Sequence, residues 1–184
     1  MYLVKKIGLT GIICLSLFVH PLAAQNAELG AGLGFGTQIK AVSYNFRAFY
    51  ALKNGIKIGP EILFSFKNNG SDEFMDYALS RKEYSIQAKY ELNTLDLANH
   101  TTFYPIIGLS LINLKFSGES NFSDNPLFEV DDERDLFIGA YGGLGGVYEL
   151  SKTLMLFGEI RYHISKEPQT LIAVGIIYPL NLPF

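Results

Sequence analysis

Nine charged residues are the part of this sequence with most chemistry to offer. Glu28, Arg47, Glu61, Glu83, Lys89, Glu91, Glu149, Glu159 and Arg161 each stand at an alternate position of a run whose other positions are largely apolar. Carboxylates and cations gathered on one enclosed face must pair, because a lone buried ion is prohibitively costly, and an arginine fork fits a carboxylate. The expected chemistry is therefore charge pairing: a packed polar plug, or a narrow gated pore whose pairs exchange partners. Arg47 and Arg161 are expected to be its hubs, as the arginines in the inward register of the strand interiors. His163-Ile164-Ser165 offers a second possibility, a base close to a hydroxyl, the pair needed to activate a nucleophile. Asp124, Glu129, Asp131, Asp132, Glu133 and Asp135 offer a third, oxygen ligands for a hard cation. That run lacks regular ligand spacing and a turn glycine, so a solvated acidic loop is expected. The sequence has no phosphate-cradling glycine loop, zinc spacing or nucleotide fingerprint, so no metal, cofactor or catalytic residue is assigned.

The elements that carry these residues are strands. From Glu28 to Gly36, Leu29, Ala31, Leu33 and Phe35 share one face, and Glu28, Gly30, Gly32, Gly34 and Gly36 share the other. Four glycines on one face weaken a strand unless that face looks into a crowded space, as in a small closed barrel. The alternation recurs over 42–52, 56–66, 83–92, 103–116, 136–150, 154–164 and 172–184, making eight runs. Lys53-Asn54-Gly55 and Ser151-Lys152 mark tight turns, Asn-Gly being a strong hairpin signal. Pro60 removes a ladder donor and predicts a bulge. The run over 103–116 is apolar on both sides, which leaves its facing open, and long polar loops are expected over 67–80 and 117–135.

Residues 1–24 read as a signal peptide: Lys5 and Lys6 precede an apolar stretch from Ile7 to Val19, and Leu22-Ala23-Ala24 suits cleavage. The domain then spans 25–184. Cys14 is the single cysteine and leaves with the leader, so no disulfide is expected in the exported chain. Removing Lys5 and Lys6 from the 15 basic residues leaves 13 against 18 acidic, a formal charge of −5 that gives a nucleic-acid partner no support. Beyond the leader no stretch approaches the roughly 18 apolar residues that a spanning helix needs. Strands are the expected means of crossing a membrane.

Alternation alone does not say which face is outside, and a soluble lipocalin-like carrier would have the reverse sense. Apolar-out is favoured by aromatic belts near the two ends of the apolar face. Tyr50, Tyr90, Phe103, Tyr148 and Tyr178 lie at one end, and Phe66, Tyr84 and Tyr162 at the other. It is also favoured by the glycines and mixed charges of the polar face, and by the terminal Phe184, which continues the apolar register. With the leader and eight runs, these features resemble the small outer-membrane β-barrel domain (porin-family-like) proteins of Gram-negative bacteria. The resemblance implies an all-β, eight-stranded antiparallel up-and-down transmembrane barrel in the outer membrane, monomeric. It implies contact with lipid and lipopolysaccharide, and an assembly machinery that reads Phe184. The function it implies is non-enzymatic: structural, anchoring or surface interaction, with a narrow small-solute channel as the alternative. The His163-x-Ser165 spacing is in addition similar to that of the outer-membrane lipid A deacylases. Lys166 replaces the asparagine of that family, and 170–182 holds no carboxylate to complete a triad.

Overall fold

The computed structural model describes residues 27–52, 55–66, 68–71, 75–92, 100–120 and 133–180. The expected leader over 1–24, Asn54, Phe184 and the acidic positions Asp124 to Asp132 lie outside them.

Among the described residues nine strands form in chain order: β1 (Ala27–Gly36), β2 (Ala41–Ala51), β3 (Ile56–Ser65), β4 (Asn68–Ser71), β5 (Met75–Tyr90), β6 (Thr101–Ser120), β7 (Glu133–Ser151), β8 (Leu154–Ile164) and β9 (Gln169–Leu180). Every strand pairs antiparallel with its neighbours, β1 also pairs with β9, and β3 with β5. The sheet therefore closes on itself, and among the described residues β4, which pairs with β5 alone, is the short strand with one side left over. β3 and β4 lie in line along β5, so the ring has eight staves. Following partners round it from Ala27 through Tyr50, Ile58, Ala88, Ile107, Gly142, Tyr162 and Thr170 returns to β1 at Thr37, ten residues further on. With ordinary strand rise and spacing, that stagger tilts the strands by about 40°.

The alternation has the apolar-out sense. Ile86, Ile107 and Ile138 are 65 %, 65 % and 76 % exposed, whereas Gln87 and Arg161, on the opposite face, are each 1 % exposed. A surface of that kind is stable in hydrocarbon and not in water, and the lipocalin-like arrangement is excluded. On β6, Tyr104, Ile106 and Ile112 point inward and Phe103, Ile107, Leu109 and Leu111 outward. Periodicity left this open because the inward residues are apolar too, and Tyr104 and Ile106 pack with Phe49, Tyr141, Val147 and Phe157 in the barrel core.

Two expectations need correction. Pro60 makes no bulge: Arg47 opposes Glu61 and Tyr50 opposes Ile58 in one register, and only the ladder pairs between them are missing. Irregularities occur instead between Glu149 and Ser151 on β7, and between Phe64 and Asn68, where four steps along β3 and β4 match three along β5. The long polar stretches are also shorter as loops than expected, since β4, the start of β5 and the end of β6 fall inside them. Polar composition hid β4 and the end of β6, and at the start of β5 the apolar residues Met75, Tyr77 and Leu79 fall out of step with the outward register of Tyr84 and Ile86. The apolar alternation stops at the edge of the belt, but the backbone ladder runs on past it.

Candidate functional site

The inward face is filled by three groups of charges, each of which links at least two strands that do not adjoin. At mid-barrel, Arg47 on β2 donates to Glu61 on β3 at 2.8 Å and to Glu159 on β8 at 2.5 Å. Arg161 on β8 grips Glu61 with two bonds, 2.5 and 3.1 Å, and its Nε lies 3.4 Å from Glu159 Oε2. Two arginines and two glutamates thus alternate round a closed quartet whose side chains are 0–2 % exposed. Tyr104 donates its hydroxyl to Glu159 at 2.7 Å, and the Arg47 guanidinium lies 4.0 Å over the Phe157 ring. β3 and β8 are four staves apart in a ring of eight. The Arg161–Glu61 pair therefore spans the barrel from side to side.

Toward the short-turn end a second quartet repeats the arrangement with lysines. Lys57 donates to Glu28 and, at 2.5 Å, to Glu91, while Lys89 donates to Glu28 at 3.1 Å and lies 3.8 Å from Glu91. Lys89 also sits over the rings of Phe49 and Tyr104. Toward the long-loop end, Arg81 holds Glu83 at 2.8 Å, and His163 Nδ1 is 3.4 Å from both Arg81 and Glu83. Tyr141 stacks on His163 and donates to Gln87 at 3.1 Å.

Of the nine residues named from sequence, Glu28, Arg47, Glu61, Glu83, Lys89, Glu91, Glu159 and Arg161 stand in these groups. Glu149 does not. It lies exposed beside the β7 irregularity at the short-turn end and joins no ion pair among the described residues. Arg81 and Lys57 are the additions, so Arg47 and Arg161 are not the only inward arginines. Extending the register of Glu83, Ser85 and Gln87 back by one step gives Arg81, and Lys57 lies in register with Glu61. Arg81 is legible once β5 is read to its full length, and Lys57 already lies on the polar face of the run over 56–66.

The nucleophile arrangement is not assembled. His163 points into the barrel toward Glu83, and Ser165 donates its hydroxyl to the Glu167 carbonyl at 2.8 Å. His163 Nε2 has no hydrogen-bond partner among the described residues. Asp135, from the end of the acidic run, pairs with Lys166. No cluster of metal-ligating side chains occurs among the described residues.

No protein-family model and no curated protein sequence matches the chain. Solved structures do. The major outer membrane protein of Thermus thermophilus superposes with a TM-score of 0.63 at 13 % identity, covering 84 % of this chain and 99 % of that one. The fold is that of the outer-membrane β-barrels. Neisserial surface protein A shares this fold (TM-score 0.60, 14 % identity, 85 % of this chain and 96 % of that one). The N-terminal barrel domain of Pseudomonas aeruginosa OprF does as well (0.59, 13 %, 85 % and 98 %). Identities this low carry the outer-membrane barrel architecture and not the residues inside it.

Proposed function

We propose that this outer-membrane barrel is a non-enzymatic anchor, which holds its long-loop end at the cell surface for interaction and does not conduct. The observation that carries this reading is the mid-barrel quartet. Its four charges neutralise one another inside a ring just wide enough for side chains to fill. Each carboxylate has two cationic neighbours and each arginine two carboxylates, so opening a path means pulling an arginine away from both carboxylates at once. The neighbour named a surface protein is in keeping with this role, as is the length of the stretches at one end.

Arg161→Met tests it. In a plug the substitution leaves Glu61 and Glu159 to share Arg47 alone, one buried negative charge uncompensated, and is expected to cost on the order of 3–5 kcal/mol in urea unfolding of the lipid-embedded protein, with no current across a planar bilayer before or after. A negligible stability loss together with a change in single-channel current would overturn the plug in favour of a channel.

A further inference from the structure

The plug accounts for the charges of the lumen and leaves several of its uncharged polar groups without a role. Along β1 the inward positions Gly30, Gly32, Gly34 and Gly36 each have a different side chain lying against them. A Cβ at Gly30 would meet Arg47 Cγ at 2.8 Å, and one at Gly32 would meet Asn45 Oδ1 at 2.8 Å. At Gly34 it would meet Ser43 Oγ, and at Gly36 Gln169 Oε1, again at 2.8 Å. Outward from the mid-barrel quartet, Arg47, Asn45, Ser43 and Gln169 therefore form one column on the glycine face, and all four are buried.

Every member of the column has a polar atom to spare. Arg47 Nε, both amide atoms of Asn45, Ser43 Oγ and Gln169 Oε1 have no hydrogen-bond partner among the described residues. The backbone beside them is committed, because β1 is paired over this length with β2 on one side and β9 on the other. Buried donors and acceptors left dry are costly and rare in folded proteins. Asn45 and Ser43 stand two residues apart on one face of β2, roughly 7 Å at strand rise. A molecule with a hydrogen bond of about 2.8 Å on either side bridges such a gap once the side chains lean. The spare atoms include donors and acceptors, and the one charge among them, Arg47, is already matched by Glu61 and Glu159. A neutral molecule that both donates and accepts, and is no larger than the gap, fits this lining: water. An ion would find no counter-charge.

The column also has a stopper. The Cβ at Gly36 that meets Gln169 would meet Ile39 Cγ1 at 3.3 Å, and Ile39 is buried although it belongs to the turn between β1 and β2. That turn is pinned to the one between β8 and β9. Thr37 donates its N–H to the Thr170 carbonyl at 3.0 Å and accepts the Thr170 N–H on its hydroxyl at 3.2 Å, and Gln38 donates to Glu167 at 2.6 Å.

We propose that Arg47, Asn45, Ser43 and Gln169 bind a single file of water molecules along the glycine face of β1, entered from the long-loop end beneath Ile39 and closed at the mid-barrel quartet. The outer half of the lumen is then wet while the barrel does not conduct, and the closed inner end rests on the plug reading.

The test follows water by solid-state NMR of the full barrel in lipid, as polarisation passed from water protons to the side-chain amides of Asn45 and Gln169, with exchange timed after a change to D2O. The expected result is transfer to both amides in the native chain, and exchange at least fivefold faster in Ile39→Ala, which unstops the entrance. Met155→Ala, at the short-turn end, should leave the rate unchanged. Asn45→Leu gives a second reading, because it replaces two spare polar atoms by an apolar group of similar shape. In a dry column that change strengthens the fold. In a water-bearing one it interrupts the file, and the urea unfolding constant is expected to rise at least fivefold. Absence of transfer to Asn45, or a lower unfolding constant in Asn45→Leu, overturns the file and leaves the plug standing. Exchange quickened as much by Met155→Ala as by Ile39→Ala overturns it in favour of a passage open at both ends, and the plug reading falls with it.

Discussion

Glycines in this barrel fall into two kinds that the sequence writes with the same letter. A methyl group placed on Gly59 would meet the Ala48 carbonyl oxygen at 1.8 Å, a backbone approach that no side-chain movement relieves. On Gly158 it would meet nothing within 4 Å, because that position faces outward. Gly59→Ala is accordingly expected to destabilise the folded barrel by about 1–3 kcal/mol through overpacking. Gly158→Ala should be neutral or gain up to about 1 kcal/mol, since alanine loses less backbone entropy in a strand. Urea titration of the two variants in the same lipid checks both, and the reverse order would contradict the placement of their faces. Register alone could have separated Gly158 from Gly59, because one shares a face with Leu156 and Ile160 and the other with Lys57 and Glu61. Nothing in the sequence shows how closely the β2 backbone approaches Gly59.

At the scale of a strand, legibility followed contrast. β5 could be read in full over 83–90 because every outward residue is apolar or aromatic and every inward one polar. β6 could not, because Tyr104, Ile106 and Ile112 share the inward face with Gly108 and Ser110, and a wholly apolar run has no period to detect. The strand ends beyond the belt were lost for other reasons: β4 and the end of β6 are polar, and at the start of β5 the apolar Met75, Tyr77 and Leu79 stand in the register of Arg81 and Glu83, out of step with the belt. The charged site was legible as a register but not as a set of pairs, since which glutamate meets which arginine depends on stagger and cross-lumen reach. Ala88 lies outward near the middle of the β5 segment that pairs with β3. Ala88→Arg is therefore expected to cost roughly 2–4 kcal/mol, as charges do at mid-bilayer. Heat-modifiable folded protein, measured beside the native chain, reads that loss, and full native stability would place the site outside hydrocarbon.

For the whole molecule the defining event is closure of β1 on β9, the pairing of the first described strand with the last. Ala31 opposes Ile176 directly across that seam, and the only cysteine in the sequence is Cys14, upstream of the barrel. An Ala31→Cys, Ile176→Cys pair should form a disulfide on oxidation, because opposed Cα atoms in an antiparallel ladder lie within bridging distance. The oxidised protein is expected to keep its staves joined on boiling in detergent and to migrate faster than the reduced form. No such difference would mean an open seam. Once closed, the ring can be considered as a loaded tube. A thin-walled tube squeezed from the side fails by becoming oval, and the wall alone resists that poorly. The Arg161–Glu61 pair is a strut across the diameter, and Lys89–Glu28 and Arg47–Glu159 are chords at other angles. Braces in several directions keep the section round, so lateral pressure from the bilayer loads the ion pairs before it bends the ladders.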